Sequence, residues 1–214
     1  MFRKRKIKLL LFLIGAIAGV YLFLFSPFFQ IKEVEGIPAE RSKEYVGKNI
    51  FLLSPSRIRE EWVSLPEVRE VTVEKKLPSL IRITVEERKP VLSFRKDRKW
   101  WGVDEEGVVF PVSQPQNSPP LFWKKRNLKP GEKYPELEGT VKIYQEFLKN
   151  LPGWEVRSLE IKKGGVILRT TKGITIIFGL ENIPSQIRRL KKIIKSLKPL
   201  SSIDLRFGEE IIVR

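Results

Sequence analysis

Ser93 and Lys96 stand in the Ser-x-x-Lys spacing that penicillin-binding enzymes use for acyl transfer. With 14 serines and 24 lysines among 214 residues, about 1.6 such pairs arise by chance. The companion motifs Ser-Asp-Asn and Lys-Thr-Gly are missing, and the segment alternates like a strand rather than opening a helix. The match is rejected. Glu60-Glu61, Glu86-Glu87 and Glu105-Glu106 are adjacent carboxylates of the type that glycoside hydrolysis uses. Neighbours in a helix, strand or turn point apart, however, so none of these pairs converges on one bond. A scattered pair assembled by folding stays open. Histidine and cysteine are both absent, which removes the commonest general base and metal ligands. There is no glycine-rich phosphate loop. No catalytic residue, cofactor, metal site or small-molecule substrate is therefore expected. Trp100-Trp101 beside a basic turn is able to stack on sugars or bases. Strand alternation turns one ring inward, so a half-buried pair is the preferred reading.

Without catalytic groups, the elements themselves carry the function, beginning with the first thirty residues. Arg3, Lys4, Arg5, Lys6 and Lys8 precede an uncharged run from Leu9 to Phe29. As a helix, that run reaches roughly 30 Å, the hydrocarbon thickness of a bilayer. Cations stay on the cytoplasmic side, so residues 1–8 are expected inside, 9–29 across the membrane, and the rest outside. A cleaved signal is the rival, since Ala16-Ile17-Ala18 has a small-x-small form. Cleavage there leaves a strongly apolar new terminus, and a signal core runs only about 7–15 residues, so a retained anchor is preferred. Gly15 and Gly19 form a Gly-x-x-x-Gly face suited to close helix packing, although glycine is common in membrane helices anyway.

The net charge of +16 is uneven. Residues 31–89 carry 12 basic and 11 acidic groups, whereas residues 90–214 carry 24 and 14. A cationic outer domain favours anionic lipid, acidic wall polymers or acidic proteins. Nucleic acid fits the charge but lies on the wrong side of the membrane. Clusters such as Lys124-Lys125-Arg126 also suit a simply solvated face. Lack of cysteine means that no disulfide staples the fold. With 42% hydrophobic and 31% charged residues, the chain is able to fill a core.

Past the membrane, residues 30–36 alternate as a strand, 39–46 form a short helix, and Ser56 caps a helix carrying Ile58, Trp62 and Leu65. Two strands follow, with Val71 and Val73 on one face of the first and Ile81, Ile83 and Val85 on one face of the second. After Pro90 a hairpin is expected at 92–95 and 100–103, then a strand at 108–110. Six prolines make 111–135 a long loop. A helix follows at 141–151, its stripe Ile143, Phe147 and Leu148, or Tyr144 and Leu151. Strands at 157–162, 166–170 and 174–178 lead into an amphipathic helix after Asn182. That helix turns Ile187, Leu190, Ile194 and Leu197 inward and ends at Pro199. Two strands close the chain, Ser202 to Phe207 and Glu210 to Arg214.

Four segments in order, Phe29-Gln-Ile-Lys-Glu-Val-Glu-Gly36, Gly47-Lys-Asn-Ile-Phe-Leu-Leu53, Leu65-Pro-Glu-Val-Arg-Glu-Val-Thr-Val-Glu-Lys-Lys-Leu-Pro78 and Ile83-Thr-Val-Glu-Glu-Arg-Lys-Pro-Val91, resemble a POTRA domain. It is most similar to the POTRA of the FtsQ/DivIB cell-division family. Gly102-Val-Asp-Glu-Glu-Gly-Val-Val-Phe110, Ile176-Ile-Phe-Gly179 and Ile203-Asp-Leu-Arg-Phe207 extend the likeness over nearly the whole chain. The resemblance implies an α+β fold: one transmembrane helix, a POTRA domain (β-α-α-β-β) over 30–89, and a β-rich domain over 90–214. The latter is expected to hold an antiparallel sheet and one or two helices.

The closing strands have two readings on residues alone. They close their own sheet, or they offer a backbone edge to a partner strand. The resemblance favours the second. It implies a non-enzymatic divisome scaffold in the cytoplasmic (inner) membrane at the septum. The POTRA recruits it, and the β-domain binds bitopic coiled-coil proteins of the FtsB/DivIC and FtsL class. Carried onto this chain, the partner-binding residues are Ile203, Asp204, Leu205, Arg206, Phe207, Glu210, Ile211, Ile212, Val213 and Arg214, with the basic helix Arg188 to Lys195 nearby. Glu87, Arg88 and Pro90 are expected to stiffen the POTRA exit. The sequence stops at Arg214, so any role of the longer tail of some relatives is not expected. Two other readings stay open: a membrane-anchored POTRA adaptor for secretion or envelope assembly, and a cell-wall-modifying enzyme.

Overall fold

A computed structural model describes residues 2–196, 201–207 and 212–213, with side chains for 10–194, 201–207 and 212. The chain divides into two units, Met1–Glu87 and Arg88–Arg214.

In the first unit, helix α1 runs over Phe2–Leu24. Its apolar side chains between Leu10 and Phe23 are exposed. Among the described residues no helix is long and apolar enough to cross a membrane. A Cβ at Gly15 or Gly19 would meet nothing within 4 Å.

After a short 3-10 turn at Pro27–Phe29 come β1 (Glu33–Glu35), α2 (Ala39–Ser42), α3 (Pro55–Val63), β2 (Val68–Lys76) and β3 (Leu80–Glu87). This is the expected β-α-α-β-β order. The sheet runs β1-β3-β2, with β1 parallel and β2 antiparallel to β3. Alternation along the strands turns Val71, Ile81 and Ile83 into a core shared with Ile58 and Trp62 of α3. Each buried isoleucine contributes about 1.5–3 kcal/mol relative to exposure.

Two details depart from the sequence reading. Helix α2 stops at Ser42, and Tyr45 beyond it is buried, its hydroxyl accepting from Trp62 Nε1 at 3.3 Å. Burial raises the Tyr45 pKa. The cap of α3 is Ser54, whose Oγ accepts from the Arg57 amide at 3.4 Å, rather than Ser56. Pro55 sets the first helical φ, so the helix starts earlier than expected. Gly36, at φ +89°, closes β1; a Cβ there would lie 2.1 Å from the Ile83 carbonyl oxygen.

The second unit begins with a meander of β4 (Leu92–Lys96), β5 (Lys99–Val103) and β6 (Val109–Val112). Asp97 and Arg98 both take positive φ in the two-residue β4–β5 turn, the conformation that matches strand twist. A six-stranded sheet follows in the order β12-β11-β10-β9-β8-β7. Its strands are β7 (Leu121–Phe122), β8 (Val156–Lys162), β9 (Gly165–Thr170), β10 (Thr175–Phe178), β11 (Ser202–Asp204) and β12 (Ile212–Val213).

The antiparallel sheet expected of this domain is present as β4–β5–β6, and the six-stranded sheet beside it is mixed. Helix α4 (Pro135–Asn150) joins β7 to β8, and α5 (Ile183–Ser196) joins β10 to β11. Each crossover returns the chain in the same direction, so both pairs are parallel. Within the six-stranded sheet only β8–β9–β10 and β11–β12 are antiparallel. The proline-rich stretch also holds β7, and α4 starts at Pro135, six residues before the periodicity suggested. Within α4, Leu137, Val141, Ile143 and Phe147 are buried whereas Leu148 is exposed. The inner faces of β8, β9 and β10 add Leu159, Leu168, Ile176 and Phe178 to this core. Leu197 and Pro199 lie outside the described residues.

Candidate partner-binding edge

Helix α5 carries its apolar residues at helical spacing. Ile187 and Leu190 are buried, Ile183 nearly so, and Ile193 and Ile194 pack against the same core. This leaves Arg188, Lys191 and Lys192 on the walls of an open groove of about 460 Å³. Arg189 borders that groove and a second of about 770 Å³, which reaches Asn182, Gln186, Leu205 and Arg206. The Arg189 guanidinium donates to the Leu205 carbonyl at 2.8 Å, tying α5 to the chain just past β11. The Gln186 side chain accepts from the Gly179 amide at 2.8 Å and donates to the Gly179 carbonyl at 3.1 Å, fixing the turn after β10.

The proposed partner residues divide into two groups. Ile203 and Leu205 are fully buried, so their side chains build the core, and β11 lies between β10 and β12 rather than at the sheet edge. Asp204 and Arg206 pair with each other, Arg206 Nη2 to Asp204 Oδ2 at 2.7 Å and Nε to Oδ1 at 3.0 Å. This hydrogen bond from Arg206 holds the Asp204 carboxyl below its usual pKa. The guanidinium also lies 5.4 Å from the Phe207 ring, which is 49% exposed. In β12, Ile212 opposes Asp204 and Val213 opposes Ile203, and Ile212 is 44% exposed. Among the described residues no strand lies beyond β12. Glu210, Ile211 and Arg214 fall outside the described residues.

The catalytic candidates have structural engagements. Ser93 Oγ accepts from the Gln116 amide at 3.2 Å, and Lys96 Nζ donates to the carbonyls of Lys125 and Arg126. Both pin the proline-rich stretch to β4. One member of each adjacent carboxylate pair meets an arginine: Glu61 with Arg41, Glu86 with Arg69, and Glu106 with Arg88. Trp100 and Trp101 are both half-buried, and Trp101 packs on the core. Among the described residues no cluster of His, Cys, Asp or Glu is able to hold a metal ion. The residue the sequence reading missed is Asp104. It is buried, pairs with Arg88, and accepts the amides of Glu106 and Val108 at 3.0 and 2.9 Å. An Asp followed by a Glu-Glu-Gly turn was the available signal.

Residues 39–88 match the model of the FtsQ-type POTRA domain. Residues 94–206, more than half of the chain, match that of the C-terminal domain of cell division protein FtsQ/DivIB. The chain belongs to the FtsQ/DivIB family.

Relatives within FtsQ/DivIB are distant. DivIB of Clostridium acetobutylicum is 32% identical over 102 residues, covering 44% of this chain and 41% of that protein. FtsQ of Koribacter versatilis is 24% identical over 182 residues, covering 78% and 52%. DivIB of Clostridium tetani is 28% identical over 175 residues, covering 72% and 64%. The chain spans about half the length of the curated relatives it matches. The FtsQ/DivIB C-terminal match takes in β11 and Arg206, while Phe207 and β12 lie past it.

Proposed function

We propose that this FtsQ/DivIB chain is a bitopic scaffold of the divisome that binds other single-pass division proteins by adding a strand to β12. The observation that carries the reading is the sheet order: β12 is two residues long and ends a six-stranded sheet. Its backbone is the template for one more strand, with affinity from main-chain bonds and selectivity from neighbouring side chains. Ile212 and Phe207 supply exposed apolar surface beside it. The cationic groove of α5 favours acidic residues flanking the added strand. The partners that fit are coiled-coil proteins of the FtsB/DivIC and FtsL class. Arg188, Lys191 and Lys192 are the residues of this surface for which strand addition alone has no use.

The same reading places α1 from Leu9 onward across the cytoplasmic membrane, with residues 1–8 inside and the chain beyond α1 outside, at the septum. The support is the uncharged stretch of α1 from Leu9 to Leu24, roughly 24 Å at 1.5 Å per residue, the largely apolar residues Phe25 to Phe29 that follow it, and the cations before it. Gly15 and Gly19 leave an open face on that helix for another helix. The secretion-adaptor and wall-enzyme readings lose ground to the C-terminal family match.

Capture of a purified FtsB/DivIC-class partner by the full chain in detergent tests the site, wild type beside Ile212→Pro. Proline removes a backbone donor from β12. Binding lost by a variant with an unchanged melting temperature supports the edge. Binding that survives the proline moves the site elsewhere, and a wild-type chain that does not bind at micromolar concentration overturns the scaffold reading.

A further inference from the structure

The junction between α1 and the sheet of the first unit is built as a joint rather than a linker. Asn49 Nδ2 donates to the Leu24 carbonyl at 2.8 Å, and Asn49 Oδ1 accepts the Phe51 amide at 2.9 Å. The first bond satisfies one of the carbonyls that the end of α1 leaves open. Phe29 is buried in the core of the unit and its ring meets three others: Phe23 of α1 at 5.2 Å, Phe28 at 5.1 Å and Phe51 at 4.9 Å. Tyr21 stacks on Phe25 at 4.4 Å. The Ile50 amide donates to the Phe29 carbonyl at 2.9 Å, and the Ile31 amide to the Lys48 carbonyl at 2.9 Å. A strand-like segment thus holds the chain as it leaves the helix.

Around this joint large apolar side chains face outward. Phe25 is 43% exposed, Phe28 58%, Phe51 42% and Leu52 68%. Phe25 and Phe28 follow directly on the exposed apolar surface of α1, and the Phe29 ring links Phe23 of α1 to Phe28 and Phe51, with Leu52 next to Phe51. Lys48, next to Asn49, is exposed, with its ammonium 5.8 Å from the Tyr45 ring. An apolar rim with a cation beside it, at the end of an apolar helix, matches the bilayer interface. Aromatic bodies are stable there, and a lysine stem lies along apolar surface while its ammonium stays in the polar layer.

We propose that Phe25, Phe28, Phe51 and Leu52 form a collar seated in the headgroup layer at the end of α1, which makes the lipid surface itself a binding partner of the first unit. This rests on α1 spanning the bilayer. The collar and the Asn49 bond together hold the unit at one tilt to the membrane, because the helix end has no free hinge about which to swing. The occupant is lipid because the rim is continuous with the lipid-facing surface of α1 rather than set apart from it.

The full chain has no cysteine, so single spin labels report depth cleanly. Val20→Cys, Leu52→Cys and Glu70→Cys are labelled in turn and placed in vesicles of phosphatidylethanolamine and phosphatidylglycerol. Collisions with oxygen, which concentrates in lipid, are compared with collisions with a water-soluble nickel chelate. The expected result is that oxygen relaxes the labels at 20 and 52 more than nickel does, with the reverse at 70. A label at 52 that behaves like the one at 70, while position 20 stays in lipid, overturns the collar and leaves the span intact. A label at 20 that behaves like the one at 70 overturns the span, and the collar falls with it. Phe28→Cys repeats the measurement within the collar if the labelled Leu52→Cys chain does not fold.

Discussion

Arg88 donates through Nη1 to Asp104 Oδ2 in an ion pair whose side chains are 13% and 5% exposed. Glu106 lies 3.6 Å from the same guanidinium nitrogen. Asp104 also accepts two backbone amides, so one carboxylate closes the β5–β6 turn and anchors the first residue of the second unit. A pair this dry is costly to break on one side, because the surviving charge keeps its desolvation penalty.

Asp104→Ala is therefore expected to destabilise the second unit by about 3 kcal/mol. Asp104→Asn keeps an acceptor for the two amides and should cost less. Hydrogen exchange at the Val108 amide, bonded at 2.9 Å in the native chain, is the sensitive readout. Protection at Val108 that is the same in wild type and Asp104→Ala would refute the assignment.

Gly36→Ala is expected to destabilise the first unit by at least about 2 kcal/mol, since a side chain is strained at this φ before any clash is counted. The clash adds to this, because the new methyl carbon would sit 2.1 Å from the Ile83 carbonyl oxygen, in the middle of the central strand. Gly47, also at positive φ but with open space around it, is the matched control and should lose less. Thermal unfolding followed through Trp62, the one tryptophan of this unit, separates the two variants. Equal losses would show that φ alone governs both.

Among the described residues of the second unit, three carboxylates have lowered pKa values. Arg206 lowers Asp204, Lys142 and then Lys133 lower Glu138, and Arg169 and then Lys162 lower Glu160. A native pKa below the unfolded one gives stability that is complete above the unfolded value, near 4. It is lost as pH falls through the native value. The melting temperature should accordingly hold steady above pH of about 5 and drop below about 4. Asp204→Asn should start lower at neutral pH and fall less steeply in acid. Parallel curves for the two proteins would remove Asp204 from the account.

Local patterns carried the first unit far. Alternating Val71, Ile81 and Ile83, the spacing of Ile58 and Trp62, and the turn glycine Gly36 each act over a few residues, so the β-α-α-β-β order is legible in the chain itself. The amphipathic face of α5 is legible for the same reason, and the ordered set of short motifs pointed to the family. What the tertiary structure decided involves partners distant in sequence. The parallel pairs at both flanks of the large sheet follow from where α4 and α5 pack, which no strand periodicity reports. Ile203 and Leu205 alternate with Asp204 and Arg206 like any half-exposed strand, and only the packing of α5 assigns the first two to the core. The Asn49 amide finds the Leu24 carbonyl across 25 residues, and Arg88 finds Asp104 across 16. Hydrogen bonds and ion pairs of that kind depend on where the fold brings two groups together, and a polar residue read in sequence looks the same whether its partner is water or a buried carbonyl.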